Sequence, residues 1–363
     1  MRKYISYLLS ISALFATAAS VSAQTTVSTV PEGMITLSVP ATGPGVNSTS
    51  YLSAPLSNDP VYTGVVSAVT ANTITVADSP APWTANQFAT AGSPFFVKFL
   101  VPNPAVAGAN LEAGRTIFVT ANTTNTLTLD TTDNSSQTVA LTTTGFNVQV
   151  GDSFEVFPGN TLTSLFGDTT QNLVLNGGTS ILQADTVSLY NAALLRFQSY
   201  YFNTTAGYWE LSGSSANANN TIVYPYVGFE LTRRANEAAL SLVVTGRVAE
   251  VSRLIKTPGS GSVIYDSTGY PVDLTLSELQ LGPNWVEGSS VLSADTLSVW
   301  DASLLRFDTY FETTSNTWLK SGGGATDQSS VVIPAGTTVV FLKRAAVSGA
   351  TSYLQPALPY SPN

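Results

Sequence analysis

The chain is predicted to be all-β, with antiparallel hairpins and meanders forming an N-terminal β region followed by two homologous β repeats. Three observations predict this. Short apolar runs alternate with Thr, Ser and Asn at a period of two, as a strand with one buried face requires. No stretch of more than ten residues shows helical periodicity. A long block of sequence recurs about 110 residues downstream.

The first 23 residues read as a secretory signal peptide. Arg2 and Lys3 give a positive start, an apolar run follows from Tyr4 to about Ala19, and Val21-Ser22-Ala23 supplies a small-residue site. The apolar core is shorter than the ~20 residues a membrane-spanning helix needs. Cleavage between Ala23 and Gln24 is therefore expected, with no transmembrane helix left afterwards. No Cys stands at the site, so a lipid-anchored form is not expected. Residues 24–60 then read as an extended N-terminal segment.

Residues 61–157 read as a β-hairpin domain. Val65 to Val69 and Thr73 to Val76 flank a short turn at Thr70-Ala71-Asn72, as a tight hairpin does. Thr116 to Val119 and Thr126 to Leu129 flank Asn122 to Asn125 in the same way. Val139 to Leu141 and Asn147 to Phe157 are expected to add further strands.

The repeats span 158–245 and 246–350, with a C-terminal tail at 351–363. In the first, Thr161-Leu162-Thr163-Ser164-Leu165 precedes Ala184-Asp185-Thr186-Val187-Ser188-Leu189-Tyr190-Asn191, then Leu194-Leu195-Arg196-Phe197, Tyr200, Trp209, Pro225 and Arg233-Arg234. In the second, Thr275-Leu276-Ser277-Glu278-Leu279 precedes Ala294-Asp295-Thr296-Leu297-Ser298-Val299-Trp300-Asp301, then Leu304-Leu305-Arg306-Phe307, Tyr310, Trp318, Pro334 and Lys343-Arg344. The offset is 110 at the Asp, 109 at the Trp and 110 again at the Arg. Val187 and Leu189 alternate with Thr186, Ser188 and Tyr190, so they mark a buried face. On the following strand, Phe197, Tyr201, Phe307 and Phe311 are expected in the core. Asn203 to Gly207 and Thr313 to Asn316 read as turns, and Pro225 and Pro334 as the openings of a last strand. Each repeat is thus expected to be a meander of four or five strands.

Composition excludes several function classes. Only 10% of residues are charged, 44% are apolar and the net charge is −9, becoming −11 without Arg2 and Lys3. An acidic chain repels phosphate backbones, so nucleic acid is not an expected partner. Cys is absent, so no disulfide braces the fold; His is absent too. Those absences remove Ser-His-Asp and Cys-His nucleophiles and the usual zinc ligands. No P-loop, Gly-x-Gly-x-x-Gly or Asp-x-Asp-x-Asp-Gly loop occurs. No cofactor and no metal site is expected.

The repeated elements carry a family resemblance. Thr-Leu-x-x-Leu, the Ala-Asp-x-[Val/Leu]-x-[Leu/Val]-[Tyr/Trp]-[Asn/Asp] strand, the Tyr-Tyr/Phe pair, the following Trp and the strand ending in Arg resemble an uncharacterised family of exported, β-rich tandem-repeat proteins of environmental Gram-negative bacteria. The closing Pro356-Ala357 and Ser361-Pro362-Asn363 fit that family's tail. Asn191-Ala192-Ala193 and Asp301-Ala302-Ser303 depart from its Gly-bearing turn. The resemblance implies an exported β protein and no particular activity.

Two sets of residues are candidates for function. Asp185 and Asp295 occupy the same place in both repeats. Such an acid ligates calcium, serves as a glycosidase carboxylate, or accepts backbone N–H bonds at a turn; the last is favoured because no second acid lies close by. Tyr200, Trp209, Tyr310 and Trp318, with Tyr201 and Tyr208 beside them, offer a ligand-binding platform for sugar rings or another chain. Arg196 and Arg306 are placed to stack on Tyr or to bind a carboxylate. Arg233-Arg234 and Lys343-Arg344 read as strand-edge charges. The leading expectation is a non-enzymatic structural or adhesion-type protein, extracellular or on the outer cell surface, with the periplasm as the remaining compartment. Its expected partners are glycans, other surface proteins or further copies of itself. A carbohydrate-binding module using the repeat aromatics is the alternative, followed by a carboxylate-only hydrolase.

Overall fold

The computed structural model describes residues 31–90, 92–100, 112–133, 135, 137–143, 147–170, 172–257, 259, 261–344 and 352–360. The expected signal peptide, its Ala23/Gln24 junction and Ser361-Pro362-Asn363 lie outside the described residues. The fold is all-β and antiparallel. No described helix is long and apolar enough to cross a membrane.

The chain opens with β1 (Glu32–Val39) and β2 (Ser48–Leu52). It then enters a lobe made of β3 (Tyr62–Val65), β4 (Ala68–Val69), β5 (Thr73–Thr75), β6 (Phe95–Phe99), β7 (Thr116–Asn122), β8 (Thr126–Leu129) and β9 (Ser153–Pro158). These form one curled sheet in the order β3-β9-β6-β7-β8-β5-β4. Both expected hairpins are present: Ala68 pairs with Thr75 in one, and Asn122 with Leu127 in the other. Val139 to Leu141 is not a strand; it runs beside turn residues, with Val139 N–H donating to the Thr131 carbonyl and Leu141 N–H to that of Ala71. Isolated Val and Leu there fill the core without pairing in a ladder.

After the lobe come β10 (Asn160–Thr161), a short helix α1 (Leu162–Phe166), β11 (Thr186–Asn191), β12 (Arg196–Asn203), β13 (Tyr208–Leu211), β14 (Ile222–Val223), β15 (Phe229–Arg233) and β16 (Leu240–Arg247). The final series is β17 (Ile255–Thr257), β18 (Val263–Asp266), β19 (Leu274–Thr275), a 3-10 turn (Leu276–Glu278), β20 (Thr296–Asp301), β21 (Arg306–Glu312), β22 (Trp318–Lys320), β23 (Val332–Ile333), β24 (Val339–Leu342) and β25 (Ser352–Leu354).

Pairing relates the two series strand by strand. One five-stranded sheet runs β13-β12-β11-β15-β2 and the other β22-β21-β20-β24-β18. Two short pairs, β10 with β14 and β19 with β23, correspond, as do β1 with β16 and β17 with β25. The lobe therefore interrupts the first series between β2 and β10. β1 and β2, within the 24–60 segment, pair with strands 190 or so residues away in sequence. The Thr-Leu-x-x-Leu motif forms α1 because Thr161 and Ser164 cap each other reciprocally; Thr275 and Glu278 do the same over the 3-10 turn.

The meander β11-β12-β13 and its counterpart follow the predicted alternation, with Val187 fully buried. Of the four residues expected in the core on β12 and β21, Tyr201 and Phe311 are buried, but Phe197 and Phe307 are only half-buried and the other face packs into the main clusters. Tyr200 and Phe202 enter the core beside Val187, Phe229 and Leu231, and Tyr310 enters the second core. Tyr201 and Phe311 are buried on the opposite face, where the Tyr201 hydroxyl donates to Glu210 at 2.8 Å. Phe197 and Phe307 are half-buried. Both faces of this strand are covered, so a period of two cannot select one. Pro225 and Pro334 also differ from expectation: Pro225 lies in a turn, Pro334 immediately before one, and the strand starts at Phe229 or Val339.

The two sheets meet through aromatic rings. Tyr51 of β2 lies 4.7 Å from both Trp300 and Phe307 and 6.4 Å from Phe197; Tyr265 of β18 lies 4.7 Å from both Tyr190 and Phe197. The hydrogen bonds across this junction are reciprocal: Thr338 N–H donates to the Tyr51 carbonyl at 3.1 Å and Gly228 N–H to that of Tyr265 at 3.2 Å. Each series thus contributes a tyrosine to the partner series' aromatic set.

Candidate functional site

A groove lies where the lobe and both series meet. Its deep end, about 890 Å³ including its mouth, has walls from Phe96 and Phe118 of the lobe, Tyr190 and the 224–227 turn of the first series, and Ile264 to Asp266 of the second. An adjoining concavity of about 680 Å³ is lined by Asn191, Gln198, Tyr200 and Thr221. Tyr190, Tyr224 and Val227 border both, so the two are continuous.

Local sequence explains the wall. β14 ends at Val223, and Tyr224-Pro225-Tyr226-Val227 turns the chain into β15. Tyr226 is buried with φ of 67°, a left-handed backbone that costs a bulky residue on the order of 1–2 kcal/mol. The Arg253 guanidinium stands 4.4 Å over its ring, a cation–π contact that helps hold it there.

Charge in the deep end is largely paired, with three cations, Arg115, Arg253 and Lys256, facing two acids, Asp133 and Asp266. Arg115 pairs with Asp133 at 3.2 Å, and the Tyr353 hydroxyl donates to the same carboxylate. Arg253 grips Asp266 with two donors at 2.9 and 3.3 Å. Lys256 donates to the Thr131, Thr132 and Gln137 carbonyls. Burial pushes both carboxyls above their usual range while the neighbouring arginines pull the other way. Burial also brings Lys256 down to about 8, against the pull of Asp133. Each carboxylate is paired with an arginine, while Asp133 Oδ1 and Arg115 Nη1 are buried without a hydrogen-bond partner among the described residues.

Apart from Arg115 Nη1 and Asp133 Oδ1, the hydrogen-bonding groups left over are neutral. The Tyr190, Tyr224 and Tyr265 hydroxyls and the Gln198 amide nitrogen have no protein partner among the described residues. Burial raises all three tyrosines, Tyr224 to about 12, so they remain O–H donors at neutral pH.

The predicted site residues are only partly brought together. Tyr200 lines the concavity, beside Thr221. Trp209, Tyr310 and Trp318 are core residues: the Trp209 indole N–H donates to the Gly167 carbonyl at 2.8 Å, and the Trp318 ring packs 5.7 Å from that of Trp285. They form no exposed platform, because both series use the position after the turn to fill the core. Arg196 is exposed, and Arg306 lies 3.3 Å from Asp308. Tyr190, Tyr224 and Tyr265 were missed; in sequence they look like ordinary strand aromatics.

Asp185 and Asp295 both accept backbone N–H bonds. Asp185 takes them from Asn176 and Arg234, at 3.0 and 2.9 Å; Asp295 takes them from Val286 and Arg344, at 2.9 and 2.8 Å. Arg233 pairs with the first at 3.4 Å and Lys343 with the second. These cations are buried partners of the acids, which corrects their expected role as edge charges. The strand carrying Arg233 lies between β11 and β2 and has no free edge there. Among the described residues no cluster of three acids could hold a metal ion.

No known protein-family model matches the chain, and neither curated proteins nor solved structures include a significant match.

Proposed function

We propose that this is an exported, non-enzymatic protein of the structural or adhesion type, extracellular or on the outer cell surface, built by duplication of one β unit. The resemblance to exported tandem-repeat proteins belongs to the same proposal. The observation that carries it is a pair of apolar hairpin tips. The β11–β12 turn presents Leu194 and Leu195 and the β20–β21 turn presents Leu304 and Leu305, each between 52% and 74% exposed. Leu195 and Leu305 also have φ of 53° and 50°, where glycine or asparagine sits more easily. An exposed apolar side chain held twice in a costly backbone supports a contact function rather than a role in stability. Tyr51 reaches Phe197 behind one tip and Phe307 behind the other, so the two tips are neighbours.

Leu195→Asn with Leu305→Asn tests this. The polar, left-handed-tolerant residue should leave thermal stability equal or slightly higher, while surface retention or self-association is reduced several-fold. Fractionation of cells and medium, followed by sizing, measures both. Native material found only in the cytoplasm would end the export proposal. Unchanged retention in the double variant would end the role of the tips.

A further inference from the structure

We propose that the groove bordered by Tyr190 and Tyr224 binds an extended segment of uncharged polysaccharide. This rests on the reading of the protein as an exported, non-enzymatic binding protein and names the ligand class of that protein.

The argument starts from what the groove offers. Its acids are each paired with an arginine, Asp133 with Arg115 and Asp266 with Arg253, leaving only Arg115 Nη1 and Asp133 Oδ1 without a hydrogen bond among the described residues. Lys256 is turned onto backbone carbonyls. An ionic ligand would compete with one of these buried pairs and weaken the compensation of its partner charge at low dielectric. A neutral ligand breaks none of them.

What remains is a row of neutral donors beside aromatic rings. Tyr190 and Tyr224 line both concavities, Tyr265 the deep end and Gln198 the shallow end. Asn191 donates to the Gln198 carbonyl at 2.8 Å, which orients the Gln198 amide so that both its N–H groups stay available. Sugar hydroxyls both donate and accept, and the C–H faces of a sugar ring pack on tyrosine. Groups spread over two joined concavities suit several consecutive sugar units rather than one.

The equivalent positions of the second series sharpen the assignment. Position 334 holds Pro where the first series has Tyr224, and 336 holds Gly where it has Tyr226. Asp301 and Asp308 replace Asn191 and Gln198, and Asp308 is held by Lys320. The framework is kept, but Tyr224 and the amides of Asn191 and Gln198 have no counterpart in the second series, and Trp300 stands where the first has Tyr190. Tyr226 is buried in a left-handed backbone at a position where the second series uses glycine, so the first series carries strain in the wall of the groove.

Affinity electrophoresis of the purified full-length protein tests the proposal. The gels would contain soluble β-glucan, galactomannan or xylan as neutral probes, and alginate or polygalacturonate as acidic ones. Retardation by at least one neutral polysaccharide is expected, with the apparent Kd weakened 10-fold or more in Tyr224→Ala and 3- to 10-fold in Gln198→Ala. Thermal melts of both variants should stay within a few degrees of the parent, so that lost binding is not lost folding. Should Tyr224→Ala fail to fold, Gln198→Ala with Tyr190→Phe carries the test. No retardation by any neutral probe overturns the proposal, as does retardation by acidic probes alone or unchanged binding in the variants. Displacement of a bound neutral polysaccharide by unrelated extended peptides would show that the groove reads shape and not sugar, and overturns it too. Reducing-sugar release in the same samples would instead overturn the non-enzymatic reading and leave the groove assignment standing, so the two failures are distinguishable.

Discussion

The two five-stranded sheets share their strand order and buried carboxylate but differ at the positions that surround the groove. In both, an aspartate ahead of the first meander strand accepts two backbone N–H groups and faces a buried cation, Arg233 in one and Lys343 in the other. The wall positions diverge: Tyr224 and Tyr226 against Pro334 and Gly336, Asn191 and Gln198 against Asp301 and Asp308. A buried ion pair tolerates exchange of Arg for Lys because either cation satisfies the acid. A binding wall has no such equivalent, since its chemistry is set by what it meets. Divergence concentrated on one side of an otherwise matched framework marks that side as the one with a ligand.

The largest effect should come from breaking the matched part. Asp185→Ala and Asp295→Ala each leave a buried cation without its partner, which costs about 3–5 kcal/mol. Urea denaturation should give similar losses for the two. A difference above ~2 kcal/mol would mean that the two acids do not play the same part.

The aromatic junction should respond less. Phe197→Ala and Phe307→Ala remove half-buried rings, so each should lose about 1–3 kcal/mol, below the ~3–5 kcal/mol of a fully buried ring. Since Tyr51 touches both rings, the double variant should lose less or more than the sum, and strict additivity would deny that one tyrosine links the two sheets.

A third buried acid sharpens the comparison by lacking a cation. Glu112 of the lobe is raised to about 7, chiefly by burial and further by the neighbouring Asp152. A carboxyl whose folded value lies above its unfolded one favours folding fully below about pH 4.5, and that contribution is lost as pH rises through 7. Glu112→Gln, which keeps the neutral form, should leave the Tm unchanged at pH 5 and raise it by about 2–4 °C at pH 8. An equal shift at both pH values would remove titration of Glu112 as the cause.

The fold class and the two lobe hairpins were legible because each depends on short-range pattern, alternation and turn residues; Asp185 and Asp295 stood out by recurring at the same place, although each accepts one of its backbone N–H bonds from a residue 49 positions away. The groove was not. Its tyrosines come from separate stretches of the first series and from β18 of the second, and aromatic residues on a strand give no sign of whether they face core or ligand. Trp209 and Trp318 show the same limit from the other side, being conspicuous in sequence and buried in the fold.

By itself, the sequence determined that the fold is β and where the lobe hairpins turn, since local propensity and a period of two act within a few residues. It also determined the absence of thiol and imidazole chemistry. Only the tertiary structure decided that β1 and β2 close the first series across an inserted lobe, and that Arg233 and Lys343 are core partners. It alone placed Tyr190, Tyr224 and Tyr265 around one groove. Those outcomes depend on contacts between residues about 50 to 215 positions apart, where closing the chain and burying paired charges outweigh any local preference.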